Sequence, residues 1–266
     1  MRVPTPSPSL QVMRREEPWT LGPAELGSAD ALTRETPPSL AVVVPARDEA
    51  RTLGPILGAV YASNLVDEVV VVDDGSRDDT ADVARAAGAR VLELDGRGKG
   101  AAMAAGLAAT TSELVVFLDG DVTSPVDQYV ARLAYPLVVD EDVQLVKGYY
   151  ERPLGEAPLG GGRVTELTAR PILSLLHPAL AGLYQPLAGE TAARREALSA
   201  IEFEPGYAVE IGLLIDVARK FGPGSLAQVD LGVRRHRNRS LDELGPMARD
   251  VLRAVLERSG VALRAD

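Results

Sequence analysis

Four short apolar runs alternate with helical segments between residues 40 and 118, and this alternation most constrains the fold. The runs are Leu40–Val44, Glu68–Val72, Val91–Leu94 and Leu114–Leu118. Each is nearly continuous in β-branched and other apolar residues, which is typical of strands buried on both faces of a parallel sheet. Helices are predicted between them, at Thr52–Tyr61, Thr80–Ala87 and Gly100–Ala109. The order predicts an α/β fold with a right-handed, mainly parallel sheet and helices on both faces.

Carboxylates follow three of these runs. Glu49 comes after the first, Asp73 and Asp74 end the second, and Asp119 and Asp121 follow the fourth. Ligands of such sheets bind beyond the carboxyl ends of the strands, where these charges repel one another unless a cation or a polyhydroxyl ligand lies among them. Residues i and i+2 leaving a strand point to one side, so the D-G-D sequence predicts a Mg²⁺ or Mn²⁺ site shared with phosphate oxygens. An isolated D-x-D is more often an acidic turn, but three acidic strand ends favour the metal site.

Two glycine-rich segments precede helices and predict anion sites. Gly96–Gly100 contains Lys99, so it offers backbone N–H groups and a positive charge to an anion. Gly160–Gly162 precedes a helix with Arg163 and Thr165 in its first turn. In both places the alternative is an ordinary glycine turn. No G-x-x-x-x-G-K-[ST] motif occurs, and no G-x-G-x-x-G follows the first strand, so nucleoside triphosphate hydrolysis and NAD chemistry lack sequence support.

A basic segment, Arg234–Arg239, follows the predicted strand Ala227–Val233. It holds four arginines and His236. With strand alternation, Arg234, His236 and Asn238 share one side, which predicts a face that binds anions and a metal. The alternative is a solvated charged face. His177 is interpreted as a structural residue at a helix end.

The overall charge excludes some classes of protein. The 266 residues carry 28 basic and 38 acidic side chains, a formal charge of −10, and no cysteine. Thiol catalysis, disulfides and cysteine-ligated metals are therefore excluded, and a broad nucleic-acid-binding surface is disfavoured. Since no run of about 18 apolar residues and no apolar leader is present, we expect a cytoplasmic protein without membrane or nucleic-acid partners.

Several longer motifs, in one order over residues 40–260, resemble the glucosyl-3-phosphoglycerate synthase family and its mannosyl relatives, which are retaining GT-A glycosyltransferases. The first half contains V-V-V-P-A-R-D-E, V-V-V-D-D-G-S-x-D-D-T and F-L-D-G-D. The second half contains G-G-G-R-V-T-E-L-x-A-R-P, Q-P-L-x-G-E, P-G-Y-x-V-E-I-G-L-L-I-D and L-G-V-R-x-H-R-N-R-x-L-D-E-L. The resemblance implies a GT-A fold, with a Rossmann-like, mainly parallel sheet flanked by helices and an acceptor-binding C-terminal half.

The resemblance also implies an activity. It is the transfer of glucose from UDP-glucose to the 2-hydroxyl of D-3-phosphoglycerate, with Mg²⁺ or Mn²⁺ as cofactor. GDP-mannose stays open as the donor, and a polyprenyl phosphate is a less favoured acceptor because no apolar acceptor surface is visible in the sequence. A non-catalytic nucleotide-sugar sensor is disfavoured, since Lys99, Asp121 and His236 are all present.

The resemblance assigns roles to particular residues. The donor-binding residues are Pro45, Ala46, Arg47, Glu49, Asp74, Lys99, Asp119, Gly120, Asp121 and Glu210. The metal ligands are Asp121 and His236. The acceptor-binding residues are Gly162, Arg163, Val164, Thr165 and Asn238, to which the charge of the acceptor adds Arg234. The residues nearest the chemistry are Asp121, Leu187 through its carbonyl, Glu210 and His236.

The route of retention is left open between two mechanisms. Front-face substitution, in which the leaving phosphate takes the acceptor proton, is favoured; a double displacement would use Glu210 or Glu190. The chain departs from the family pattern in a short Arg152–Gly162 segment, which affects closure over the acceptor. It also departs at Asp73-Asp74, where an aspartate-serine pair is usual, and this affects the choice of nucleotide.

The predicted organisation has three parts. Residues 1–38, with seven of the 19 prolines, form a flexible arm. Residues 39–150 form the half that binds the nucleotide sugar, and residues 151–266 form the acceptor-binding half with a C-terminal helix, Leu241–Ser259. The resemblance implies a homodimer built through the second half.

Overall fold

One mixed sheet runs through the computed structural model, which describes residues 15–22, 37–123, 126–151, 162–234 and 241–263. Its strands are β1 (Trp19–Leu21), β2 (Leu40–Ala46), β3 (Glu68–Asp73), β4 (Arg90–Glu93), β5 (Leu114–Phe117), β6 (Leu145–Glu151), β7 (Thr191–Arg194) and β8 (Leu226–Val233). Their order across the sheet is β1-β8-β6-β7-β5-β2-β3-β4. Only β7 runs antiparallel to its neighbours, β5 and β6.

Helices cover both faces of this sheet. They are α1 (Ala50–Ala62), α2 (Thr80–Ala86), α3 (Lys99–Ala109), α4 (Tyr129–Val139), α5 (Arg170–Leu176), α6 (Arg195–Ser199), α7 (Val209–Phe221) and α8 (Leu241–Arg258). A π-helical turn, Thr165–Ala169, leads into α5, and 3-10 turns lie at Pro178–Leu180 and Pro223–Ser225. Within the described ranges, no helix has the length and apolarity needed to cross a bilayer.

The central strands are apolar throughout because each of their faces packs against a helical layer. In β2, Val42 and Val44 belong to the core beneath α1, α2 and α4, whereas Val43 belongs to the core beneath α3, α7 and α8. Side chains alternate between the faces of a strand, so a strand covered on both sides needs apolar residues at every position. Each fully buried valine contributes about 1.5–3 kcal/mol of transfer free energy.

The predicted α/β fold class is confirmed, and the predicted strands and helices of residues 40–118 lie within two residues of the observed ones. The sequence reading did not predict α4 or β7. The segment Gln185–Glu190 is a loop that leads into β7. Strands of both predicted halves share the sheet, and the division near residue 150 stays a prediction.

Part of the predicted flexible arm is instead an edge strand. Trp19–Leu21 pairs in parallel with Ala227–Val229 of β8. Arg15 anchors this segment, since its guanidinium stacks over the Trp19 ring at 4.3 Å and forms an ion pair of 2.7 Å with Asp140. The sequence did not predict this strand because three residues in a proline-rich segment are too few to show a periodic pattern. The strand forms because the edge of β8 offers backbone hydrogen bonds.

Candidate active site

Carboxylates that follow β2 and β5 lie close together at the carboxyl end of the sheet. A side chain at Gly120 would lie 3.4 Å from both Ala46 and Glu49, so the D-G-D turn contacts the end of β2. Burial raises the pKa of Glu49, and the negative charges of Asp121 and Asp119 raise it further. This mutual repulsion is the electrostatic condition under which a bound cation stabilises a site.

Asp119 lies between two cations. Its Oδ1 accepts a hydrogen bond of 2.6 Å from Lys99 Nζ, and its Oδ2 accepts one of 3.1 Å from Arg234 Nη2. Burial alone raises the pKa of Asp119, but Lys99 and Arg234 outweigh burial and hold that pKa well below its usual range. Asp119 is therefore ionised at any physiological pH.

Lys99 connects the donor-side loop to α7. Its Nζ forms a second ion pair, 2.5 Å long, with Oε1 of Glu210 in the first turn of α7. Burial lowers the pKa of Lys99, whereas Asp119 and Glu210 raise it well above its ordinary value. The other oxygen of Glu210, Oε2, is buried and has no hydrogen-bond partner among the described residues. A buried acceptor of this kind is uncommon and indicates that a donor from outside the described residues is missing.

Arg234, just after β8, is directed at the D-G-D turn. Its Nη2 donates to Asp121 Oδ1 at 3.0 Å as well as to Asp119. One nitrogen reaches both aspartates, which confirms that their side chains point to one side. The residue was predicted to bind the acceptor; in the structure it lies at the aspartates, and its Nη1 is bound to the buried carboxylate of Glu190.

Lys147 on β6 is a buried residue to which the sequence reading gave no role. Its side chain is almost completely inaccessible, and Nζ donates to Thr191 Oγ1 at 2.9 Å. Burial lowers the pKa of Lys147 to about 8, and the neighbouring charges of Glu210, Lys99, Glu190 and Asp119 act on it in both directions. A lysine inside an otherwise apolar run, Leu145-Val146-Lys147, was the available signal.

Two of the N–H groups that the loop Gly96–Gly100 was predicted to offer to an anion are already bonded to a carboxylate of the chain. The N–H groups of Arg97 and Gly98 donate to the two carboxylate oxygens of Asp74, at 2.7 and 2.8 Å. The N–H of Ala101 donates to the carbonyl of Pro205 at 3.1 Å. The sequence did not indicate these partners because they come from distant segments, and the cationic side chains of the loop are those of Arg97 and Lys99.

The end of β2 turns sharply toward the site. Asp48 has a left-handed backbone, with φ of 57°, which aspartate tolerates better than most residues. Its conformation is held by the Arg77 N–H, which donates to Asp48 Oδ1 at 2.7 Å, and by the Asp48 N–H, which donates to Ser76 Oγ at 2.9 Å. Pro45 and Ala46 pair with the end of β3, and the Arg47 guanidinium lies beside Gly96. The predicted donor residues of the first two strand ends are therefore neighbours.

The loop that carries Leu187 abuts Asp119. At Gly189, any side chain would lie 2.0 Å from Asp119 Oδ1, so only glycine permits this approach. Leu187 is half-buried and packs against the core beneath α7. The Q-P-L-A-G-E segment is thereby fixed next to the D-G-D turn.

The predicted acceptor residues are only partly within the described chain. Gly162 accepts the N–H of Glu166 at 3.0 Å, which starts a helical segment. Arg163 is exposed and Thr165 is buried, while the Val164 side chain packs in the core, which leaves only its main chain for a ligand. His236, Asn238 and residues 152–161 lie outside the described residues.

The donor set fits a divalent cation in part. Asp121 is 40% exposed at its side chain and, with Asp119 and Glu49, offers the carboxylate oxygens that Mg²⁺ and Mn²⁺ prefer. Among the described residues, no three such side chains are grouped closely enough to hold a metal by themselves. The second predicted ligand, His236, is outside that part of the chain.

Comparison with known proteins agrees with this geometry. Residues 41–164 match the family model "Glycosyl transferase family 2". The glucosyl-3-phosphoglycerate synthase of Mycobacterium tuberculosis is 45% identical over 260 residues, covering 91% of this chain and 78% of the relative. This chain belongs to the glucosyl-3-phosphoglycerate synthase family.

Solved structures extend the similarity to the fold. A crystal structure of the M. tuberculosis synthase with Mn²⁺, UDP-glucose and phosphoglyceric acid has a TM-score of 0.80 at 44% identity, covering 90% of this chain and 84% of that chain. Another, with Mg²⁺ and UDP, has a TM-score of 0.84 at 42% identity, covering 92% and 88%. The GT-A fold expected from the sequence is confirmed.

Proposed function

We propose that this chain transfers glucose from UDP-glucose to the 2-hydroxyl of D-3-phosphoglycerate, with Mg²⁺ or Mn²⁺. One observation carries the proposal: the family's motif residues Lys99, Asp119, Asp121 and Glu210 converge, together with Arg234, in one charged cluster at the carboxyl edge of the sheet. A relative with 44% identity and the same fold binds Mn²⁺, UDP-glucose and phosphoglyceric acid. Both the side chains of the site and the similarity to this synthase therefore support the proposed reaction.

The donor is assigned to the edge formed by β2, β3 and β5. Pro45, Ala46, Arg47, Glu49 and Asp74 surround the position of the nucleoside. Asp121, with His236, would hold the metal, which when bound neutralises negative charge on the leaving diphosphate. Lys99 supplies a fixed positive charge beside Asp119, and Glu210 Oε2 accepts from a sugar hydroxyl. Lys99, Asp119 and Glu210 are held by their ion pairs before substrate arrives, so little reorganisation of these groups is needed during the reaction.

The acceptor is assigned to the start of the helical segment at residue 162. Its phosphate and carboxylate call for N–H donors and cations, which Gly162, Arg163 and Thr165 provide together with Asn238. The bond between the anomeric carbon and the diphosphate oxygen breaks, and its electron pair leaves with UDP. The bond to the acceptor oxygen forms, and the acceptor proton passes to the leaving phosphate.

The contacts of Glu190 argue against a double displacement through this residue. Glu190 is completely buried, and both of its oxygens accept from Arg234, at 2.7 and 2.8 Å. A carboxylate so engaged is a poor nucleophile. The Leu187 carbonyl, whose loop abuts Asp119, supplies a dipole near the anomeric centre instead.

A homodimer through the second half is part of the proposal, and so is a cytoplasmic location, where the charged donor and acceptor are available. Support for the dimer comes from the helical segment formed by the π-helical turn and α5, where Leu167 and Leu175 are 77% and 76% exposed. Apolar residues exposed to this degree on one segment are typical of association surfaces. Sedimentation velocity of the purified chain measures the state directly; a monomer at micromolar concentration contradicts it.

A single set of incubations tests the activity. The chain is mixed with UDP-glucose, D-3-phosphoglycerate and Mg²⁺ or Mn²⁺, and the product is identified by mass spectrometry. Parallel reactions replace the donor with GDP-mannose, replace the acceptor with a polyprenyl phosphate, or add a chelator. We expect glucosyl-3-phosphoglycerate in the metal-containing reaction with UDP-glucose. Turnover confined to GDP-mannose or to the polyprenyl phosphate would refute the proposal.

A further inference from the structure

Glu190 is a charged residue in the interior, with no contact to solvent. Its exposed fraction is 0%, and its backbone carbonyl accepts the N–H of Gly148 in β6 at 2.8 Å. A buried carboxylate without a partner is costly, and an apolar residue of similar size often replaces a buried ion pair without loss of stability. The charge at this position therefore calls for an explanation beyond folding.

Arg234, the partner of Glu190, uses its two terminal nitrogens for different contacts. Arg234 Nη1 donates to both oxygens of Glu190 and to the Tyr150 hydroxyl at 2.8 Å, and the guanidinium lies over the Tyr150 ring at 5.0 Å. Nη2 donates to Asp119 and Asp121. Because the guanidinium is planar and rigid, the group that fixes Nη1 also fixes Nη2.

The backbones of Glu190 and Arg234 are both hydrogen-bonded to β6. Glu190 bonds to Gly148, and the Arg234 N–H donates to the carbonyl of Glu151 at 3.0 Å, so β6 holds the two backbones. Arg234 Nε is buried and has no hydrogen-bond partner in the described part of the chain. The orientation of the guanidinium therefore depends on Nη2, bound to the two aspartates, and on Nη1, for which Glu190 is the charged partner that lies outside the D-G-D turn.

We propose that Glu190 is a positioning residue for the transferase reaction: it orients Arg234, and Arg234 in turn holds Asp119 and Asp121 in the geometry that receives the metal and the diphosphate. The inference rests on the proposed function for its reaction. Glu190 itself touches neither substrate. Removing its charge allows the guanidinium to rotate about its side chain, and both aspartates then lose a fixed partner.

The first test is Glu190→Gln, which keeps the shape of the side chain and removes its charge. We expect kcat to fall by about 30-fold and the affinity for UDP in the presence of Mn²⁺, measured by calorimetry, to fall by about tenfold, in the range known for groups that orient metal ligands. The KM for D-3-phosphoglycerate should change by less than about threefold. The matched control is Glu68→Gln, another carboxylate-to-amide change, at the opposite end of the sheet.

A double variant separates positioning from direct action. Arg234→Gln alone leaves Glu190 buried without its cation, whereas Glu190→Gln with Arg234→Gln leaves an uncharged pair that can fold. If Glu190 acts only through Arg234, the double variant is as active as Arg234→Gln alone, within about threefold. A further loss as large as that of Glu190→Gln by itself would mean that Glu190 acts on substrate directly and would overturn the proposal.

A purely structural role makes a different prediction. It requires that Glu190→Gln lower the melting temperature while kcat per folded molecule and UDP affinity with Mn²⁺ stay as in the original chain, and this result would also overturn the proposal. Absence of product with the unmutated chain would count against the proposed function alone, because calorimetry of Mn²⁺ and UDP still compares the two proteins. Absence of UDP binding by the unmutated chain would overturn both.

Discussion

The two ends of the central strands hold carboxylates in opposite ways. At the amino end, Glu68 accepts hydrogen bonds from the hydroxyls of Thr110 and Ser112, at 2.7 and 2.8 Å, and from two backbone N–H groups. At the carboxyl end, Asp119 and Glu190 are paired with Lys99 and Arg234. Neutral donors suffice to join β3 to the start of β5. Several buried charges of both signs are costly, and they are expected where a charged ligand is bound.

The largest effect is expected from Asp121→Asn. This substitution removes a partly exposed carboxylate from the charged group at the carboxyl end of the sheet. The metal proposed to neutralise the developing charge on the diphosphate would lose a ligand. We therefore expect kcat/KM to fall by about 100- to 1,000-fold. The melting temperature should stay nearly constant, since the side chain is 40% exposed. Steady-state kinetics with UDP-glucose and thermal unfolding measure the two; turnover near the original level would remove Asp121 from the metal site.

Lys99→Met should affect both activity and stability. The substitution leaves Asp119 and Glu210 without their shared cation, and loss of one partner of a buried pair costs about 3 kcal/mol of unfolding free energy. We expect kcat/KM with UDP-glucose to fall by about 100-fold as well. Urea denaturation and kinetics on the same preparation check the pair of effects. An unchanged unfolding free energy would show that the fold accommodates Asp119 and Glu210 without Lys99.

Lys147→Met tests the buried lysine through the pH dependence of stability. The pKa of Lys147 is about 8 in the folded chain and 10.5 ordinarily, so the unfolded state binds more protons between these values. Stability of the original chain therefore rises with pH across this window, and the variant lacks this rise. The difference in unfolding free energy between the two should change by about 2–3 kcal/mol from about pH 7 to about pH 10. A difference independent of pH would contradict the lowered pKa.

Glu68→Gln should have the smallest effect and is confined to folding. The pKa of Glu68 is lowered by its hydrogen bonds, although burial alone raises it, so the charged form is the one that these donors favour. Replacing the carboxylate with an amide should reduce the unfolding free energy by about 1 kcal/mol. Turnover of UDP-glucose should be unchanged. A loss of activity here comparable to that of Lys99→Met would remove the distinction between the two ends.

The sequence predicted the central part of the fold well because β2 and β5 are apolar at every position and β3 is apolar between its terminal residues. The same reasoning failed for β7, Thr191–Arg194, because the strand is short and contains both polar and small apolar residues. It also failed for β1, which forms because the edge of β8 offers backbone hydrogen bonds. For the site, the strand ends indicated Glu49, Asp74, Asp119 and Asp121, since parallel strands bring their carboxyl ends together. The sequence indicated no role for Lys147 and only that of an alternative nucleophile for Glu190, because their partners, Thr191 and Arg234, are each 44 residues away in sequence.

The sequence by itself determined the α/β class, the acidic edge of the sheet and the family, because these depend on local periodicity and on motifs that keep their order. Only the tertiary structure decided which charges are paired. It bound the glycine-loop N–H groups to Asp74, turned Arg234 toward Asp119 and Asp121, and buried Glu190 behind it. The physical reason is that pairing energies depend on distance and burial, and the folded chain sets both through contacts between segments far apart in sequence.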